Sequence, residues 1–183
     1  GLYRGEFNSA WVGAMMSLIA TFFIGWFGFY LVKGSVARDR ETGVGQIMAT
    51  TPLSRPAYML GKWLSNFAVL GITIIIVMLE GIVMTLLADA KGFNLVTLAA
   101  PLVIIALPCM GLVAALAVLF ESISWLRGGL GNVVYFFMYL AMISLSAMGT
   151  IMNELGIPVT ANPYIDITGQ QTIGENIAQA AKA

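Results

Sequence analysis

The sequence predicts an all-α protein, a polytopic transmembrane helical bundle. Of its 183 residues, 59% are hydrophobic and 10% are charged, whereas a soluble domain typically carries about a quarter charged residues. The apolar residues come in runs of about twenty, the length that crosses a hydrocarbon core of ~30 Å at about 1.5 Å per residue. The alternative is a very apolar soluble bundle, which is disfavoured because soluble helices of this length show a polar face.

The residue types exclude several kinds of site. The chain has no His and a single Cys, Cys109, which excludes an intrachain disulfide framework, a cysteine metal site and the usual zinc chemistry. It also lacks the phosphate-binding G-x-x-x-x-G-K-[ST] motif and the H-E-x-x-H and G-x-S-x-G motifs of common hydrolases. We therefore expect a non-catalytic protein with no cofactor, no metal and no nucleic-acid partner.

The first predicted span covers residues 11–33. It contains no charge before Lys33, and the residues that precede it are polar enough to lie outside the bilayer. Gly25, Gly28 and Gly34 lie on or near one helical face, where they would let another helix approach closely. The alternative is that glycine is simply common in membrane helices.

A polar elbow, residues 35–63, follows the first span. It holds four of the nine basic residues and two acidic ones between two long apolar runs. Basic residues set the orientation of a span but acidic residues contribute little to it, so Asp39 and Glu41 favour docking of a partner. Alternating charges fix register and partner choice more than they add affinity. The alternatives are a charge cluster that serves topology alone and an amphipathic helix that lies flat at the interface.

Glycine and proline divide the elbow into two helical parts. Gly43 and Gly45 weaken a continuous helix. Pro52 ends the short helix before it, because the residue preceding a proline is pushed out of the α region. Ser54 then provides a cap, and Pro56 suits the first turn of a new helix. We expect a short helix, a break at Pro52 and a helix that enters the membrane.

Three further apolar segments predict spans, at residues 64–88, 95–120 and 133–151. The first of these carries one charge, Glu80, and a carboxylate within a span is a functional candidate by default. The second contains Pro101 and Pro108, which a span tolerates when neighbouring groups satisfy the freed carbonyls, and which often kink the helix. Residues 1–151 thus form the predicted transmembrane domain, and residues 152–183 form an extracytoplasmic tail.

The distribution of basic residues predicts the orientation. With four spans, residues 34–63 and 121–132 share one side of the membrane. That side, together with Lys33, carries six basic residues, and the other side carries three. The side richer in Lys and Arg is cytoplasmic, so we expect both loops in the cytoplasm.

Three motifs of the elbow follow one another: RDRETG (residues 38–43), ATTPLSR (residues 49–55) and YMLGK (residues 58–62). Their succession resembles the first intracellular loop of ABC transporter permeases of the type-two exporter class. The later loop FESISWLRG (residues 120–128) also resembles bacterial members of that class. The resemblance covers residues 11–151 and implies a bacterial-type inner membrane.

The resemblance implies that the four segments are spans two to five of six, with the first and last missing. It also implies that residues from about Arg38 to Thr51 form a coupling helix seated in a cytosolic ATPase subunit. Members work as two permease halves with two ATPase halves, and closure of the ATPases on ATP opens a route between the permeases. The implied partners are the ATPase, a second permease and membrane lipid. The implied docking residues are Arg38, Asp39, Arg40, Glu41, Thr42, Gly43 and Gln46.

The elbow departs from the family pattern at one point. After Thr42-Gly43, members commonly carry a Thr-Leu-Glu-like run, whereas this chain has Val44-Gly45-Gln46. The chain therefore loses an acidic residue and gains a glycine, so the docking helix is expected to be shorter or differently paired.

Two other functions stay open beside that of an ATP-driven exporter subunit. A scaffold or sensor would anchor a cytosolic partner at the elbow and transport nothing. A secondary carrier would use Glu80 as its candidate transport-path residue. Such carriers usually place several ionisable groups within the membrane and are often built from inverted repeats. No similarity relates the first pair of segments to the second, which disfavours the carrier.

Overall fold

The structure is a computed structural model that describes residues 8–43, 54–87 and 93–154. These residues form helices, and no strand occurs among them. In chain order the helices are α1 (Ser9–Val32), α2 (Ser35–Glu41), α3 (Arg55–Leu87), α4 (Leu95–Pro101), a π-helix (Leu102–Ala106), α5 (Leu107–Ser122) and α6 (Gly129–Glu154). The predicted all-α transmembrane bundle is confirmed.

Three helical stretches are long and apolar enough to cross a membrane: Ser9–Asp39, Arg55–Leu87 and Leu95–Ser122. The apolar residues of the first stretch belong to α1, so the polar α2 lies beyond its spanning part. The third stretch combines α4, the π-helix and α5, and the apolar part of α6, Gly129–Leu145, is shorter. At about 1.5 Å per residue α3 measures roughly 50 Å, so it tilts within a core of ~30 Å or extends beyond it.

α1 lies at the centre of the bundle, where it packs against α3, α4, the π-helix, α5 and α6. Two of its glycines permit close packing. A Cβ added at Gly25 would lie 2.7 Å from Tyr139 Oη, and one added at Gly28 would lie 2.8 Å from Leu70 Cδ2. The prediction that these glycines admit neighbouring helices is therefore confirmed, and the two neighbours are α6 and α3.

The proline-containing span is continuous rather than broken. The π-helix lies between Pro101 and Pro108, and the N–H of Leu107 reaches back to the carbonyl of Leu102. Ser17 Oγ of α1 donates a hydrogen bond to the Pro101 carbonyl at 3.0 Å. A neighbouring helix thus supplies the donor that irregular backbone in a span requires, as the sequence predicted.

Side-chain caps mark the starts of α1 and α3, and Asn94 caps α4 in the same way. Asn8 Oδ1 accepts the N–H of Trp11 at 2.9 Å, so α1 begins at Ser9, two residues before the predicted span. Ser54 Oγ accepts the N–H of Ala57 at 3.4 Å, as expected for the start of α3. α6 begins at Gly129, four residues before the predicted span, so its first turn includes Asn132 and the two glycines Gly129 and Gly131.

Two tyrosines attach α6 to α1. Tyr135 Oη donates to the Gly25 carbonyl at 2.6 Å, and Tyr139 Oη donates to the carbonyls of Thr21 at 3.0 Å and Phe22 at 2.8 Å. The rings of Phe29 and Tyr135 stack with their centroids 3.7 Å apart. We call these two tyrosines and their contacts on α1 the tyrosine seam.

Candidate functional site

The turn between α1 and α2 begins the predicted docking element. α1 ends where the Lys33 N–H bonds to the Phe29 carbonyl at 2.8 Å. Gly34 then adopts φ +102°, a left-handed conformation that favours glycine. The prediction that Gly34 shares a helical face with Gly25 and Gly28 is therefore wrong, because Gly34 forms the turn and lies outside α1.

α2 overlaps the start of the coupling helix expected from about Arg38 to Thr51, and residues 44–51 of that helix lie outside the described residues. It begins at Ser35, three residues earlier, and ends at Glu41. The N–H and Oγ1 of Thr42 both bond to the Arg38 carbonyl at 2.9 Å, and Gly43 follows with φ +74°. A left-handed glycine just after the last turn is a common helix terminator. The predicted short helix near Gln46, and Gln46 itself, lie outside the described residues.

Asp39 faces the bundle and joins α2 to α3. Its Oδ2 lies 2.6 Å from Lys62 Nζ and accepts a hydrogen bond from Tyr58 Oη at 3.0 Å. Lys62 Nζ also donates to the Ser35 carbonyl at 3.3 Å and lies 5.9 Å from the centroid of the Tyr58 ring. We call this set of Asp39, Tyr58 and Lys62 the clamp, since it fixes α2 against the first turns of α3.

The charge state of the clamp follows from these contacts. The hydrogen bond from Lys62 is the main cause that holds the pKa of Asp39 below its usual range, and the hydrogen bond from Tyr58 acts in the same direction. Burial opposes them, because it disfavours the charged carboxylate. The net direction is downward, so Asp39 stays ionised at neutral pH.

Other predicted docking residues point away from the bundle. Arg38, Glu41 and Thr42 are exposed. Arg38 and Glu41 are three residues apart and Arg38 and Thr42 are four apart, so the three share one side of α2. We call them the outer face of α2. The backbone of Arg40, another predicted docking residue, lies within α2.

Comparison with known proteins identifies the chain. The model of the ABC-2 family transporter proteins matches residues 3–167. The chain belongs to the ABC-2 family. It is thus a membrane permease component of an ABC transporter and a multi-pass membrane protein, as the elbow motifs predicted. A search of curated proteins and a search of solved structures each found no match.

The second candidate site of the permease, Glu80, lies far from α2. It is 22 residues beyond Tyr58 along α3, which corresponds to roughly 33 Å of helix. Its side chain is exposed on a face shared with the exposed apolar residues Ile76, Leu79, Val83 and Met84. The structure therefore does not bring Glu80 together with the docking residues.

Sequence reasoning missed the pairing that builds the clamp. It recognised Tyr58 and Lys62 only as parts of a motif at the mouth of α3. The sequence nevertheless contained a signal for this pairing. Tyr58 and Lys62 are four residues apart and share a face of their helix, and the acidic residue Asp39 precedes them in the elbow. Among the described residues of the permease, no group of three or more His, Cys, Asp or Glu could hold a metal ion.

Proposed function

We propose that this permease couples ATP hydrolysis by a separate cytosolic ATPase subunit to the export of a substrate, and that α2 is its docking element. One observation supports this most directly. α2 is attached to the bundle through Asp39 while its outer face, Arg38, Glu41 and Thr42, is left for a partner.

Attachment matters because a docking helix has to transmit displacement. A helix of seven residues is too short to be stable by itself in water. Its position therefore depends on contacts with the bundle, and the clamp supplies them at α3 with a hydrogen-bonded ion pair. A partner that moves the outer face of α2 would then move the start of α3 as well.

The proposed orientation places α2 on the cytoplasmic side of a bacterial-type inner membrane. The described basic residues near this end of the bundle are Lys33, Arg38, Arg55, Lys62 and Arg127. An excess of Lys and Arg in short loops marks the cytoplasmic side. A cytosolic ATPase would meet α2 there.

The remaining partners follow from the same proposal. A second permease, identical or homologous, would complete the route for the substrate, and lipid would cover the rest of the apolar surface. A carboxylate that faced lipid would be costly, so we assign Glu80 to the surface that meets the route or the second permease. Two further expectations belong to this proposal. One is the docking role of Gln46, which the resemblance implies, and the other is the extracytoplasmic position of residues 152–183, which the orientation implies.

The experiment is purification of the full-length protein from its native membrane with identification of co-purifying subunits by mass spectrometry. We expect an ABC ATPase in roughly equal amount, and we expect the double substitution Arg38→Ala with Glu41→Ala to reduce it severalfold. Arg55→Ala is the matched control, because Arg55 is exposed at the start of α3 and outside the outer face.

The possible outcomes separate the candidate functions. An ATPase lost only from the double variant supports docking at α2. A partner that is not an ATPase would favour the scaffold, and the absence of any partner would favour a carrier centred on Glu80. In that last case Glu80→Gln should abolish uptake or efflux that depends on a proton gradient.

A further inference from the structure

The turn between α1 and α2 contacts a second loop, residues 123–128, which joins α5 to α6. Lys33 Nζ donates to the main-chain carbonyls of Leu126 at 3.3 Å and Gly128 at 3.1 Å, and to Asn132 Oδ1 at 2.6 Å. One side chain therefore reaches both the α5–α6 loop and the first turn of α6.

The next residue reaches α5. The N–H of Gly34 donates to the carboxylate of Glu121, which is 2% exposed in the last turn of α5. Lys33 and Glu121 also interact electrostatically. A buried carboxylate requires hydrogen bonds and a nearby cation to offset its lost hydration, and the turn supplies both.

The α5–α6 loop is folded closely around these groups. Arg127 Nε donates to the Glu121 carbonyl at 3.1 Å, which turns the loop back onto α5. Leu126 is 6% exposed and belongs to the hydrophobic core. A Cβ at Gly131 would overlap the Leu126 carbonyl and lie 2.8 Å from Lys33 Nζ, so glycine at this position allows α6 to approach both the loop and Lys33.

We propose that Lys33, Gly34 and Glu121 form a lock that fixes the start of α2 to the α5–α6 loop, so that displacement of α2 reaches α5 and α6. The lock rests on the proposed function, in which an ATPase displaces α2. Lys33 and Glu121 are positioning residues, because they act through α2 and the loop. With the clamp at α3, the lock connects α2 to every long helix of the described bundle.

Stability alone does not account for the lock. A buried carboxylate such as that of Glu121 often adds little stability relative to an apolar residue of similar size, because the cost of desolvation offsets its favourable contacts. The contacts of Lys33 instead specify an arrangement. Its ammonium group has three donors, and here they meet three oxygens on two successive parts of the chain. If Lys33 served only as a topology signal, neither the buried Glu121 nor the aligned carbonyls would be needed.

The experiment measures amide hydrogen exchange by mass spectrometry on the full-length permease in lipid nanodiscs. The lock predicts reciprocal effects. Glu121→Ala, a change in α5, should raise exchange in residues 35–41, and Lys33→Met should raise exchange in residues 123–128. The conservative variant Lys33→Arg should restore most of the protection. Arg55→Met is the control and should leave both segments unchanged.

A second reading tests transmission in the complex with its ATPase, with and without a non-hydrolysable ATP analogue. In the wild type, the analogue should change exchange in both residues 35–41 and residues 123–128. In Lys33→Met, the response of residues 123–128 should fall by roughly 5-fold or more, a usual size for coupling between sites, while residues 35–41 still respond.

The outcomes distinguish the two proposals. If no ATPase accompanies the wild-type permease, the docking proposal fails, and the reciprocal exchange test still decides whether the lock exists. If each substitution changes exchange only in its own segment, or if Lys33→Met leaves the response to nucleotide intact, the lock is overturned. Should Glu121→Ala not fold, Glu121→Gln keeps an acceptor for Gly34 and should give a smaller rise.

Discussion

α2 and α6 are both held to the bundle by hydrogen bonds, but in opposite environments. The tyrosine seam is buried: Tyr135 is 1% exposed and Tyr139 is 4% exposed, and their hydroxyls bind main-chain carbonyls of α1. The clamp is partly exposed and ionic, with side chains of Lys62 and Asp39 at 20% and 17% exposure. Water and salt reach the clamp and do not reach the seam.

The two attachments differ in the free energy that is lost when one of their contacts breaks. In a seam without water, a lost hydrogen bond leaves a buried carbonyl unsatisfied, so the arrangement of α1 and α6 is strongly specified. At the clamp, water can replace a lost partner, so a broken contact between α2 and α3 costs less free energy than a broken contact in the seam. Under the proposed function, α1 and α6 would stay packed against each other when an ATPase displaces α2.

The largest expected effect comes from filling the space that the seam occupies. Gly25→Leu places a Cβ 2.7 Å from Tyr139 Oη and more atoms beyond it. Overpacking of this kind costs about 1–3 kcal/mol or more, so we expect a clear drop in Tm in detergent. Gly71→Leu in α3 is the matched control, because nothing lies within 4 Å of a Cβ at Gly71. Equal Tm values for the two variants would contradict the packing.

The next effect comes from the seam hydroxyls. Tyr139→Phe removes the donor to the carbonyls of Thr21 and Phe22, and should cost about 1 kcal/mol because those carbonyls stay buried. Tyr30→Phe removes a longer hydrogen bond of 3.2 Å to the Asn132 carbonyl from an exposed position. We expect Tm to fall less for Tyr30→Phe than for Tyr139→Phe, and the reverse order would count against the comparison.

The sequence predicted those features of the fold that depend on residues close together along the chain, such as helix starts. Ser54 and Pro56 indicated the start of α3, and Gly43 indicated a weak point in the helix, because caps and glycines act within one turn. Gly25 and Gly28 indicated close packing but not which helices would use it. The start of α2 at Ser35 was not predicted, because hydropathy and charge do not show that Gly34 breaks the helix.

The long-range contacts could not be predicted in this way. Tyr135 and Gly25 are 110 residues apart, and Lys33 and Leu126 are 93 apart. Such pairs depend on how α1 and α6 are rotated about their axes, which no local pattern records. Glu121 was recognised only as part of a loop motif, although a carboxylate in the last turn of an apolar helix already indicates a need for a partner.

Asp39→Asn tests the clamp with a smaller effect on stability. An exposed ion pair contributes about 0–1 kcal/mol, so Tm should change little. Hydrogen exchange in residues 35–41 should nevertheless increase, because the ion pair with Lys62 is lost. Glu41→Gln is the control and should leave exchange unchanged, since Glu41 is exposed on the outer face. Protection equal to that of the wild type in Asp39→Asn would show that the clamp does not hold α2.

The pH dependence of the clamp follows from the lowered pKa of Asp39. A carboxyl group whose pKa is lower in the folded than in the unfolded state stabilises the fold above the unfolded value, about 3.9, and loses that contribution as the pH falls through the folded value. Protection of residues 35–41, corrected for intrinsic exchange rates, should thus be constant from neutral to mildly acidic pH. A loss of protection near neutral pH would show that a titratable group other than Asp39 holds α2 in place.

The smallest effect is expected from salt, and it separates the two attachments without any substitution. Raising the ionic strength from about 0.1 M to about 1 M shortens the Debye length from ~10 Å to ~3 Å, which screens partly exposed pairs more than buried ones. Protection of residues 35–41 should fall slightly, because the ion pair of Asp39 and Lys62 is accessible to ions. Protection across the seam, around Tyr135 and Tyr139, should stay constant, because those hydrogen bonds are uncharged and buried. If the two regions respond equally, the clamp is as closed to solvent as the seam, and the difference between the two attachments is contradicted.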